Sequence, residues 1–229
     1  MTIRLHELVG ADPDRPFSPH CWKVVWALAH KGLAFESVPT PFTAIPAVEG
    51  GANIVPVIRD GARVVADSFR IALYLEDTYP DRPTLFGGEG GKAVARFVER
   101  WSQITIHGFL GGAVLHDIHQ CLAAADQAYF RASREARFGG RLEDIQKGRE
   151  ERREAFGKSL EPLRKTLEAQ SYLGGHGPLF VDYIVAGAFQ WARVVSPFSA
   201  LDDNDPVAAW FARVLDLHGG VARRVAAAA

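Results

Sequence analysis

The sequence predicts an α/β N-terminal part followed by an all-helical C-terminal part. Three observations carry this expectation. Strand and helix signals alternate over the first 80 residues, in the order β-α-β, a loop, then β-β-α. A glycine-rich stretch, Gly87-Gly88-Glu89-Gly90-Gly91, then interrupts the chain as a flexible hinge. Every periodic segment beyond it has helical spacing. The boundaries expected are a first domain over residues 1–83, a linker over 84–91 and a helical domain over 92–229.

Each element has a local reason. Ile3 to Val9 reads as a strand, with Ile3, Leu5 and Glu7 on one face by the period of two. The first helix is well punctuated. Ser18 is a good N-cap, Pro19 suits the first helical position, and Gly32 follows the last turn. Trp22, Val25, Trp26 and Ala29 recur at i, i+3, i+4, i+7 and mark its buried face. Phe35 to Val38 is a short second strand. Val55 to Arg59 and Ala62 to Ala66 flank Asp60-Gly61, a strong hairpin signal. Ser68 is a candidate cap for a helix over Phe69 to Thr78. Beyond the hinge, Ala93 to about Ala125 reads as one helical segment, and Leu142 to Gln170 as a charged one that Pro162 kinks or restarts. Phe180 to Val195 is the most apolar helix, and Asp205-Pro206 opens the last one. The first part has the element order of a thioredoxin-like fold, which places its chemistry at the N-terminus of its first long helix.

Composition narrows the function. Of 229 residues, 48% are hydrophobic and 23% charged, which excludes a disordered chain. Twenty-six basic residues against 27 acidic ones argue against a dedicated nucleic-acid binder. No apolar run is long enough to span a bilayer, and Met1 to Glu7 contains no signal-peptide core. Cys21 and Cys121 cannot build a disulfide framework, so a reducing cytoplasm is the compartment expected.

The candidate residues admit more than one reading. Ser18 is either a plain helix cap or a hydroxyl donor at a helix N-terminus, where amide groups and the helix dipole favour an anion. Cys21 closes a Ser18-Pro19-His20-Cys21 segment like a redox Cys-Pro-His-Cys whose first cysteine is replaced. The loss of that outer nucleophile leaves Cys21 as a small buried hydrophobe. His116 and His119 stand at i, i+3, with His107 in the same helical region, but lack the further ligands of a metal site. Trp101, Ile104, His107 and Phe109 belong either to the core or to an apolar substrate pocket between the domains.

Three of these features, in order, resemble the glutathione transferases over essentially the whole chain. They are Ser18-Pro19-His20-Cys21-Trp22 at the first helix, Val55-Pro56 before the hairpin, and Asp67-Ser68 at the next helix. The resemblance implies glutathione as co-substrate without a metal, and Ser18 as the catalytic serine that stabilises its thiolate. It also implies a cis Val55-Pro56 bond whose backbone pairs with glutathione like an added strand. Asp67 and Ser68 would hold the γ-glutamyl end, and Asn53 is a candidate for the glycine carboxylate. A homodimer with Arg63 and Arg70 near its interface is implied as well. The alternative is a non-catalytic glutathione-binding protein on the same scaffold.

A narrower resemblance, to the bacterial β-etherases and fungal etherase-like enzymes, rests on three segments. These are Phe17-Ser18-Pro19-x-x-Trp22, Gly139-Gly140-Arg141-Leu142-Glu143-Asp144-Ile145-Gln146 and Leu160-Glu161-Pro162. It implies glutathione-dependent opening of β-aryl ether bonds in lignin fragments. Two departures are visible. Leu179 stands where relatives carry Ser, Thr or Asn, so Asp182 is expected to serve the backbone alone. The sequence also ends at Ala229 without the long extension of some bacterial β-etherases.

Overall fold

The computed structural model describes residues 2–229. Its N-terminal part is a four-stranded mixed sheet in the order β2-β1-β3-β4. The strands are β1 (Ile3–Leu8), β2 (Phe35–Thr40), β3 (Val57–Asp60) and β4 (Arg63–Ala66). β1 runs parallel to β2, from Ile3↔Phe35 to Leu8↔Thr40, and antiparallel to β3. Helix α1 (Pro19–His30) is the crossover between β1 and β2, and α2 (Ser68–Thr78) follows the hairpin. Two 3₁₀ turns, Phe42–Ala47 and Glu49–Gly51, link β2 to β3. This is the thioredoxin-like half of the expected architecture.

The helical half contains α3 (Glu89–Ala113), α4 (Leu115–Cys121), α5 (Ala124–Phe138), α6 (Leu142–Gln146), α7 (Arg149–Ser159), α8 (Glu161–Ala169), α9 (Phe180–Val195) and α10 (Pro206–Gly220). α9 is the central rod, as its composition predicts, with 14 of its 16 residues buried. Each large apolar side chain buried there contributes about 1.5–3 kcal/mol. It packs on α1 and α3, so one core runs through both halves. Gly187 makes the α1 contact possible, since a Cβ on it would lie 2.5 Å from the Pro19 carbonyl oxygen.

Several local expectations need correction. The hairpin turn sits one residue further on: Asp60 pairs with Arg63, and Gly61-Ala62 form the loop. The Asp60 carboxylate accepts hydrogen bonds from the hydroxyls of Tyr74 at 2.9 Å and Tyr79 at 2.5 Å, which ties this residue to α2 and the turn after it. Asp67, not Ser68, caps α2, its carboxylate accepting from the Phe69 and Arg70 amides at 3.0 Å each. The segment from Ala93 to Ala125 is three helices, and Leu142 to Gln170 is three more. The second break follows Leu160 and places Pro162 in the first turn of α8. Gly90 and Gly91 are not a hinge but lie in the first turn of α3. Asp182 serves more than backbone. It accepts from the Leu173, Gly174 and Leu179 amides and also from the Trp210 indole at 2.9 Å.

Candidate active site

The first turn of α1 follows directly from its sequence. Ser18 is almost fully buried at the N-cap, and its Oγ accepts from the Cys21 amide at 3.3 Å. A hydroxyl that accepts one bond can still donate another. Pro19 has no N–H, and the His20 amide has no partner among the described residues. The turn therefore offers one hydroxyl, one free amide and the positive end of the helix dipole. Cys21 is not available for chemistry. It is buried, its Sγ faces the His6 carbonyl at 3.9 Å, and burial first, then the Glu7 charge, push its thiol up to about 12.

The strand side of the site is built around Val55. The Val55-Pro56 peptide is cis. Neither the amide nor the carbonyl of Val55 is taken by another group among the described residues. The Asp67 amide donates to the Pro56 carbonyl at 3.3 Å, which sets Asp67 directly beside that segment. Asp67 adopts φ 79°, ψ 125°, a conformation that a non-glycine residue rarely takes. Such backbone strain, of order 1–3 kcal/mol, clusters at functional sites.

A cleft of about 580 Å³ opens between the two halves, within the usual size range for small-molecule sites. Ser18, Asn53, Val55 and His107 line it together. Pro56, Asp67 and Ser68 do not line the cleft itself. Trp101, Ile104 and Phe109 are not on the cleft either. α3 turns Gln103, His107 and Gly111 toward it, at i, i+4, i+8, and Ile104 is 79% exposed on another face. Phe109 stacks on Phe156 at 4.2 Å inside the helical core.

The cleft has two walls. On one, His20 stacks on His107 at 5.3 Å, and His107 meets Trp191 at 5.9 Å. Burial, then the Lys23 charge, pull His107 down to about 3, and the same two effects pull His20 well below its ordinary value. Both rings are therefore neutral at pH 7. On the other wall stand Phe17, Phe42, Tyr129, Phe130, Arg134 and Arg137. Sequence reasoning missed this second wall. The visible trace is a run of Tyr129, Phe130, Arg134, Arg137 and Phe138 within one helix, which reads equally well as a solvated face. His116 faces Glu143 at 3.6 Å and stacks on His119 away from this cleft.

The etherase-like segment Gly139 to Gln146 is structural here. Gly139 ends α5 in the left-handed conformation. The Gln146 side chain caps α4 by accepting from the His116 and Asp117 amides.

Comparison with known proteins follows the same division. Residues 13–83 match the family model described as glutathione S-transferase, N-terminal domain, and residues 93–228 match its C-terminal domain. Glutathione transferase GSTFuA2 of Phanerochaete chrysosporium superposes with a TM-score of 0.78 at 29% identity, covering 98% of this chain and 95% of that one. A glutathione S-transferase of Ceriporiopsis subvermispora, solved in complex with glutathione, gives 0.78 at 27% identity over 95% and 96%. A curated zeta-class glutathione S-transferase of Euphorbia esula is 39% identical over 70 residues, so the match spans 28% of this chain and 31% of that relative.

Proposed function

The chain belongs to the glutathione S-transferase family, and from that premise we propose that it is a serine-type transferase, with Ser18 holding the thiolate of bound glutathione. The observation that carries this reading is the Ser18 hydroxyl at a helix N-terminus, in the same cleft as the unpaired backbone of Val55. A free thiol with pKa near 8.5 is only about 3% ionised at pH 7. A charge-assisted hydrogen bond and a helix N-terminus can together lower that pKa by about two units.

In this reading residues 1–83 bind glutathione and residues 92–229 shape the electrophile site, with 84–91 between them. Val55 pairs with the peptide backbone of glutathione. Asp67 and Ser68 receive its γ-glutamyl end, and Asn53 lies on the cleft as a candidate for the glycine end. The thiolate attacks an electrophilic carbon. A C–S bond forms, the carbon–leaving group bond breaks, and the leaving group departs with the electron pair. The finer proposal is displacement of a phenolate, protonated from water, at the β-carbon of an aryl ether. The fungal neighbours support that branch without specifying it. The compartment proposed is a reducing cytoplasm. The assembly proposed is a homodimer, for which Val94, Phe97 and Ile104 on α3 offer an exposed apolar stripe.

The test is an ultraviolet titration of bound glutathione. We expect a thiol pKa of about 6 to 7 that rises by about one to two units in Ser18→Ala. Equal thioether formation by that variant would sink the role of Ser18. Binding with an unshifted pKa and no turnover would instead favour the non-catalytic reading.

A further inference from the structure

We propose that the electrophile is an aromatic compound carrying an anionic group, which Arg134 and Arg137 receive in the cleft. The inference deepens the transferase reading and rests on it for the reaction, though not for the binding.

Arg134 and Arg137 stand at i, i+3 on α5, so their side chains are neighbours on one face. Both line the cleft that holds Ser18. Among the described residues no Asp or Glu lines that cleft. Arg131, one turn earlier on the same helix, makes the contrast: its guanidinium is held by Glu135 at 2.7 Å and Glu143 at 2.8 Å. Among the described residues, neither Arg134 nor Arg137 has a carboxylate within 4.0 Å. Arg134 donates only to the Ser133 hydroxyl, at 2.9 Å.

The setting of these two cations is aromatic. Arg134 stands 4.9 Å over the Phe130 ring and 5.7 Å over the Phe42 ring, and Arg137 stands 5.7 Å over Phe138. Partial burial draws Arg134 below its ordinary value, opposed by Tyr129 and helped by a weaker contribution from the Arg137 charge. Arg134, half-buried beside rings and without a carboxylate partner, carries a desolvation cost that an anion relieves, and the exposed Arg137 adds a second positive charge beside it. A guanidinium offers five N–H donors in a fixed fork that matches a carboxylate, sulfonate or phosphate. The rings supply the apolar contact for the rest of the molecule. The glycine carboxylate of glutathione is a second source of the same chemistry. Both arginines belong to α5 of the helical half, with Phe130, Phe138 and Phe42 as their ring neighbours, and glutathione affinity in the variant below separates the two sources.

Two uncharged-versus-charged pairs test this. By titration calorimetry, the full-length protein should bind 4-nitrobenzoate about tenfold or more tightly than 4-nitrobenzamide. In an Arg134→Gln, Arg137→Gln double variant that ratio should fall to about one, and in the double lysine variant part of it should return. Equal affinities in the wild type, or a ratio that survives in the glutamine variant, would overturn the inference. So would a loss of glutathione affinity with the nitrobenzoate ratio intact, which assigns the fork to the glycine carboxylate. The turnover arm uses 4-chloro-3-nitrobenzoate and its amide, each normalised to its uncatalysed reaction with glutathione. There the aromatic carbon gains the sulfur and loses chloride with its bonding pair. The same preference should appear in kcat/KM. Acid-selective binding with no turnover of either compound would uphold the anion site and remove aryl chlorides from the electrophiles, while the thiol titration above decides the transferase reading.

Discussion

Glu7 shows how one residue can oppose its surroundings. It occupies a core-facing position of β1, on the same face as Ile3 and Leu5, and is 3% exposed. Burial pushes its carboxyl up to about 7, with a Ser37 hydrogen bond working against that. The unfolded chain releases this proton near the ordinary value of 4.5, whereas the native state keeps it to about 7. Between those values the native state binds more protons, so its stability falls as pH rises, and the loss is complete above the native value. Glu7→Gln removes the titration. We expect urea midpoints of the variant and the wild type to be close at pH 4 and to separate at pH 8, the variant being more stable by up to about 3 kcal/mol. A difference independent of pH would show that the charge of Glu7 is not the cause. Nothing in the sequence marks this site as unusual, because a period of two places a carboxyl on a face but cannot say how deeply that face is buried.

Among the elements, α1, α9 and α10 were legible because their ends carry chemistry that acts locally. Ser18-Pro19 and Asp205-Pro206 are caps and first turns that act locally, and Asp182 likewise bonds the Leu179 amide within its own first turn, beside its more distant partners. The breaks after Ala113 and after Cys121 were not legible, since neither Val114 nor Leu122-Ala123 is a helix breaker. They exist because α4 and α5 must fold back onto their neighbours. The same reason hid Arg134 from the sequence, while Ser18 and Val55 stood out through their local motifs. The contact of α9 with α1 leaves no room for a side chain at Gly187. In Gly187→Ala the new methyl group meets the Pro19 carbonyl, so the helices must separate. Alanine gains about 1 kcal/mol in helix propensity, yet overpacking costs about 1–3 kcal/mol. Because Pro19 adjoins Ser18, kcat should fall at least about tenfold as the hydroxyl shifts. Thermal unfolding measured beside kcat checks this, and an unchanged rate would show that the turn tolerates the displacement.

For the whole molecule, the exposed apolar side chains fall into two groups. Ile54, Tyr129 and Phe138 lie along the cleft, and Val94, Phe97 and Ile104 form the stripe on α3. The stripe is 57%, 71% and 79% exposed at those three positions, which is more than a solitary surface residue requires. The homodimer proposed above would cover it. Sedimentation should give twice the chain mass for the wild type and the chain mass for Phe97→Glu, Ile104→Glu. A monomeric wild type would remove the dimer from the proposal. The division of the cleft itself has a further meaning. The 15-residue helix α5 carries Tyr129, Phe130, Arg134, Arg137 and Phe138, and contributes nothing to the turn that positions Ser18. It is clipped to the N-terminal half by one buried carboxylate, Asp126, which accepts from the Phe42 and Thr43 amides at 2.8 and 2.9 Å. On the proposed reading, α5 is a removable fitting: a swap of this one segment that keeps the aspartate clip would change what the cleft admits and leave the turn that carries Ser18 in place.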